Sequence, residues 1–215
     1  MSEIQNIKID LEMILENQKI TPSKKKVLLA SIDLFSKYGF NAVSTSNIAK
    51  EAKVSEAIIF KYFKNKRGLL LSIITPVIEH CIPQYESIFA ENLKIENHSN
   101  LKDLVHFVVN DRLKFFKQNK EIVNILLSQI LIDDEIKSLL ATSLEQNHSK
   151  NASKIFKIFK QTEELASDIT YISLLRIIMG QLLMYFVQIY LFKSTTLEQN
   201  HLESQIYRSL KHGEE

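Results

Sequence analysis

Glycine and proline are scarce in this chain. Four glycines and three prolines in 215 residues are too few turn-formers for a sandwich or barrel of many short strands. A single cysteine excludes a disulfide framework and a cysteine-rich zinc site. No G-x-G and no G-x-x-x-x-G-K-[ST] occurs, so a glycine loop for cradling phosphate is missing. The six histidines are scattered, with no H-x-x-x-H and no H-E-x-x-H, and G-x-S-x-G does not occur. Nothing in these patterns calls for a catalytic residue, a metal or a cofactor. Met1-Ser2-Glu3-Ile4-Gln5 has neither a basic region nor an apolar one, so a targeting signal is not expected. What is present is 45% apolar and 24% charged residues at net +2, the composition of a folded chain. The expectation is an all-α, cytoplasmic protein.

Apolar spacing divides the chain into helices. Ile4, Ile7, Leu11, Ile14 and Leu15 recur at three and four residues, which predicts a short amphipathic helix in an N-terminal arm over residues 1–20. Thr21-Pro22 is a cap followed by a first-turn proline. The helix that follows runs from Lys24 to Tyr38 and buries Val27, Leu28, Ser31, Ile32, Leu34 and Phe35; Gly39 stands where a helix wants its terminal glycine. Ser44 with Asn47 reads as a weak capping box. It opens a two-turn helix that buries Ile48, Ala49 and Ala52. Lys53-Val54 turns, Ser55 caps the next helix to about Phe63, and Arg67 starts a longer one that Pro76 and Pro83 bend or end. Beyond the polar break at 96–100, helices are predicted over Leu101–Lys117, Lys120–Leu131, Asp134–Phe159, Glu163–Phe192 and Leu197–His212.

Charge is concentrated in one part of the chain. Thr21 to Gly68 holds ten basic and three acidic residues, a net of +7, so the remainder carries −5. A basic segment joined to a mildly acidic remainder points to an anionic partner for the first part alone; a solubilising lysine surface has the same composition. Within that window, two short helices joined by a tight turn form a helix-turn-helix, which places its second helix in a DNA major groove about 12 Å wide. A short helical hairpin that merely packs fits the same pattern.

Three runs carry a resemblance. They are Leu34-Phe35-Ser36-Lys37-Tyr38-Gly39-Phe40, then Ile48-Ala49-Lys50-Glu51-Ala52-Lys53-Val54-Ser55, then Ile59-Phe60-Lys61-Tyr62-Phe63-Lys64-Asn65-Lys66 with Leu69-Leu70. Over about 45 residues the sequence resembles the TetR (tetracycline-repressor) family of transcriptional regulators. The resemblance implies a DNA-binding domain over 21–66 and a larger helical domain over 67–215 that binds a ligand and forms a homodimer. It implies a repressor that binds a palindromic operator in double-stranded DNA and is released by a small effector. The alternative is a helical ligand-binding or protein-interaction module without DNA-binding activity.

Carried over by position, the resemblance offers Ser55, Glu56, Ala57, Ile58, Phe60 and Lys61 to DNA from the second helix. Thr45 and Ser46 are implied to make phosphate and base contacts, and Tyr62 and Lys66 fall on phosphate-clamp positions. Glu56 either accepts from a cytosine amine or only complements the helix dipole; Lys61 meets a guanine or a phosphate. Three residues depart from the family pattern: Lys53 and Ala57 stand where glycine is usual, and Phe60 replaces tyrosine. Lys53 must take the left-handed conformation, at a cost of about 1 kcal/mol, or use a different turn.

The second part is rich in aromatics, and a bundle of this kind encloses an apolar pocket with few polar groups. The effector it would take is apolar or amphipathic. Arg176 and Gln181 are the odd polar residues in the most apolar helix, and Arg176 is either a buried ligand anchor or a surface or interface arginine. His106, Asn110 and Asp111 are further candidate pocket residues. Ile169–Phe192 is long enough to span a membrane, but Arg176, Gln181 and Gln188 fall within it. An almost wholly apolar helix wants burial on more than one side. A second subunit packed on this helix and the last one would provide it, with Gly180 allowing close approach.

Overall fold

The computed structural model describes residues 6–17, 20–94, 98, 100–194 and 198–211. Ile4, the side chain of Leu15 and His212 lie outside the described residues. The described backbone is helical, relieved by loops and one isolated backbone bridge, Leu165 with Lys211. Two compact units form: Met1–Tyr85 with Asn119–Gln146, and Glu86–Gln118 with Asn147–Glu215.

The first unit begins with α1 (Ile7–Asn17), whose Ile7 and Leu11 are fully buried. Its first amide is satisfied from far along the chain, Ile7 N–H donating to Asn119 Oδ1 at 2.7 Å. α2 (Pro22–Tyr38) starts as expected, with Thr21 Oγ1 accepting from Lys24 N–H at 3.3 Å and Pro22 in the first turn. It ends at Gly39, whose φ of 80° is ground that side chains avoid. Val27, Leu28, Ile32 and Phe35 face inward, and Ser31 is buried with its hydroxyl donated to Val27 C=O. α3 (Thr45–Ala52) and α4 (Glu56–Phe63) pack on α2 and on each other.

α5 (Lys66–Pro76) is capped by Asn65, whose side chain accepts from Gly68 N–H at 2.8 Å. Neither Pro76 nor Pro83 stops it. The chain relaxes into a π-turn, π1 (Val77–Cys81), and resumes as α6 (Ile82–Asn92). The wider register explains how: Ile82 N–H reaches back five residues to Val77 C=O. The next donor in that register would be position 83, and proline has no N–H. Ile78 C=O is met instead by Ser143 Oγ at 2.9 Å. α8 (Lys120–Ile130) packs on α2, and α9 (Asp134–Lys160) begins in this unit.

In the second unit α7 (Leu101–Gln118), α10 (Tyr171–Phe186) and α11 (Gln199–Leu210) pack mutually. The predicted helix from Glu163 is corrected here, because α10 starts only at Tyr171. Glu163 takes φ 59°, Leu165 bridges Lys211, and Ala166 N–H donates to Leu210 C=O at 2.9 Å. The segment therefore bonds to the end of α11 instead of continuing a helix, and Thr170 then caps α10 by accepting from Ser173 N–H. After Phe186 a second π-turn, π2 (Val187–Leu191), closes the element. Leu174, Ile178, Leu182 and Phe186 are buried at every fourth position, while Ile172, Met184 and Leu191 are exposed. Tyr171–Leu191 is long and apolar enough to cross a membrane by length and composition alone, and 22% of its apolar window is buried.

Candidate nucleic-acid interface and effector cavity

Four local rules position α3 and α4. Ser44 and Asn47 form a full capping box. Lys53 adopts φ 55°, ψ 47°, the left-handed conformation, so the chain accepts that strain and keeps the tight turn that glycine would make freely. Its amide donates back to Ala49 and Lys50 carbonyls. Ser55 is extended and starts α4, but its side chain makes no capping bond. Finally α5 is drawn tightly onto the end of α4: a Cβ on Gly68 would lie 2.1 Å from Phe63 O, so no other residue fits there.

Burial then separates the faces of α4. Ile59 and Phe63 are in the core; Ile58, Tyr62 and Glu56 are half-buried; Ser55, Ala57, Phe60, Lys61 and Lys64 are exposed. At three- and four-residue spacing, Ala57, Phe60 and Lys61 share one outward face, and exposed Lys64 follows as the helix C-cap at φ 66°. Ser46 is exposed and Thr45 half-buried at the start of α3. Of the predicted contact residues on these two helices, Ser46, Ser55, Ala57, Phe60 and Lys61 are exposed, while Thr45, Glu56, Ile58 and Tyr62 are half-buried. Glu56 is not free to face a groove, since one of its oxygens accepts from Thr45 Oγ1 at 2.5 Å. Lys61 lies over the Tyr62 ring at 5.4 Å.

Lys66 is a correction. Its ammonium faces inward, over the Phe40 ring at 4.4 Å, and donates to Phe40 C=O and Val43 C=O at 2.9 Å each and to Asn41 C=O at 3.4 Å. Three donors meet three carbonyls, so this lysine closes the loop between α2 and α3 and is committed before any phosphate arrives. The +7 window overstates the charge on offer for the same reason. Lys25 is paired with Glu12 and Glu16, and Arg67 with Asp133 and Glu135. Lys50, Lys53, Lys61 and Lys64 remain exposed within residues 45–64.

The second unit holds a small apolar cavity of about 70 Å³, lined by Phe89, Val108, Ile155, Phe159, Tyr171, Leu174, Leu175, Ile178 and Met179, with Arg112 as its charged member. Arg112 stacks 4.2 Å from the Phe89 ring centre and 5.3 Å from Phe115. Its Nε and Nη2 both donate to Asp111, the former at 2.8 Å. Burial lowers the affinity of the guanidinium for its proton, and Asp111 and then Glu86 oppose that. The sequence carried a signal for this residue: Leu101, Leu104, Val105 and Val108 continue to position 112 on the buried face of α7.

The other predicted pocket residues lie elsewhere. Arg176 is exposed on α10, so it is no buried anchor. His106 and Asn110 are exposed on α7, in a polar cluster where His106 Nδ1 lies 2.8 Å from Glu203 and Gln199 donates to Asn110. Gln181 lines an open groove of α10 and α11 with Met184, Tyr185 and Gln188. A Cβ on Gly180 would meet nothing within this chain. Among the described residues no cluster of metal-ligating side chains occurs.

The first unit thus carries a helix-turn-helix, α3 and α4, within an otherwise helical chain. Residues 27–73 match the model for bacterial regulatory proteins of the tetR family. It is similar to the HTH-type transcriptional regulator YvkB of Bacillus subtilis, 35% identical over 104 residues, covering 48% of this chain and 50% of that one. It also resembles the probable regulator YttP of the same organism, 27% identical over 128 residues, 57% of this chain and 58% of that one. The chain thus spans about half the length of these two relatives. In fold it is similar to the regulator FadR from Bacillus subtilis solved with stearoyl-CoA, with a TM-score of 0.61 over 88% of this chain and 98% of that one at 17% identity.

Proposed function

We propose that this chain is a cytoplasmic, DNA-binding transcriptional regulator, a repressor that binds a palindromic operator as a homodimer and leaves it when an effector binds. The observation that carries the reading is the outward face of α4, Ala57, Phe60 and Lys61, set against α3 by the Lys53 turn and the Thr45–Glu56 bond. Residues 21–66 are the DNA-binding part in this reading, with Thr45, Ser46, Ser55 and Lys61 as contacts. Residues 67–215 bind the effector and the second subunit. No catalytic step belongs to this function.

The open face of α10 supports the homodimer, because a stripe holding Ile172, Met184 and Leu191 is costly in water. The apolar lining of the cavity in the second unit, with Arg112 at hand for a polar end, supports an apolar or amphipathic effector, which at about 70 Å³ the cavity must widen to admit. The FadR neighbour was solved with a molecule of that amphipathic kind. Gel-shift titration at two salt concentrations tests the reading. A steep salt slope together with sequence preference is expected; binding that is absent, or indifferent to sequence, would refute it.

A further inference from the structure

The outward face of α4 is unusual in what it omits. Guanine is read by paired donors from arginine or lysine, adenine by asparagine or glutamine, cytosine by a carboxylate, and thymine by apolar contact with its methyl group. Among Ser55, Ala57, Phe60, Lys61 and Lys64, the exposed residues of this segment, there is no arginine, asparagine, glutamine or free carboxylate. Glu56, the only acid on the helix, is half-buried and bonded to Thr45. What stands at the centre of the face is a phenyl ring, half exposed at 50%, one helical turn from the Ala57 methyl. Phe60 makes no ring contact with another aromatic among those described, and it lies outside the core.

Building on the DNA-binding reading above, we infer that α4 reads its half-site through thymine methyl groups, with Phe60 as the principal specificity-determining residue and Ala57 beside it. Lys61 then adds a single charged contact to a phosphate or a guanine. Contact with a methyl group removes about one methylene's worth of apolar surface from water, which corresponds to roughly fourfold in affinity.

The test begins with the full chain and a duplex enriched by it from a randomised pool. Each thymine of that duplex is replaced in turn by uracil, which removes the methyl and leaves pairing unchanged. One or two positions per half-site are expected to lose roughly fourfold in affinity. Phe60→Ala should bind the thymine and uracil duplexes alike, while Phe60→Leu should keep the difference. Phe60 is exposed, so both variants are expected to fold, and their circular dichroism checks this. No uracil effect at any position overturns the inference. An effect that survives in Phe60→Ala overturns the assignment to Phe60. Failure to enrich any site instead brings down the DNA-binding reading itself.

Discussion

Thr45 and Glu56 open α3 and α4, and a hydroxyl-to-carboxylate bond of 2.5 Å joins them across the turn. The bond fixes where the second helix starts relative to the first. It also takes a negative charge that would repel DNA and holds it against protein. Thr45→Val should lower stability by about 1 kcal/mol, read by urea unfolding. Glu56→Gln keeps an acceptor for Thr45 and removes the charge. It should tighten DNA binding at low salt roughly two- to fivefold and bring little change at high salt.

Lys66 gives a contrast between two roles. A phosphate contact would, when removed, flatten the salt dependence of binding by about one unit. The inward lysine of this structure should behave otherwise. Lys66→Met leaves three carbonyls without their cation and should cost about 1.5–3 kcal/mol of stability, while the salt slope of the surviving folded protein stays as it was. Thermal unfolding and gel-shift titration of the same preparation separate the two outcomes.

Gly68 and Gly180 should respond oppositely to alanine. At Gly68 the new methyl meets Phe63 O at 2.1 Å, a backbone atom that cannot step aside, and the cost should be about 1–3 kcal/mol. At Gly180 a methyl meets nothing in the chain. Helix propensity alone then favours alanine by up to about 1 kcal/mol. Loss of stability in Gly180→Ala, measured by calorimetry, would mean that another subunit approaches there.

Cys81 should make the protein sensitive to alkali. Burial, and next the nearby Asp10 carboxylate, push its thiol up to about 11 from an ordinary value of 9.0. The unfolded chain then loses its proton first, so native stability is intact below about pH 9 and falls as pH rises towards about 11. Tyr85 moves in the same direction through burial and its bond to Asp10. The thiol alone should account for about 2–3 kcal/mol across that interval. Urea unfolding at pH 8 to 11 should show a flatter decline in Cys81→Ala than in the unaltered chain.

Local rules were the most legible part of this sequence. Thr21-Pro22, Gly39, the Ser44–Asn47 box and the Lys53 turn all obey short-range chemistry, and each stands where its neighbours in sequence put it. What sequence concealed was decided at a distance. Lys66 reads as a surface cation until the carbonyls of 40, 41 and 43 curl round it. Glu163 to Thr170 has no glycine or proline to interrupt a helix, yet its backbone finds partners at Leu210 and Lys211, some forty residues on. Arg176 stands out by its apolar neighbours in sequence, whereas Arg112 is hidden among charged ones and is the least exposed arginine.

The bare side of α10 ties regulation to abundance. If Ile172, Met184 and Leu191 are covered only by a second copy, the folded, paired form is favoured by mass action, and dilution weakens it. Far below the pairing constant, halving the protein leaves about a quarter of the dimer. A cell would then read modest changes in synthesis or proteolysis of this chain as a sharp change in operator occupancy, before any effector arrives.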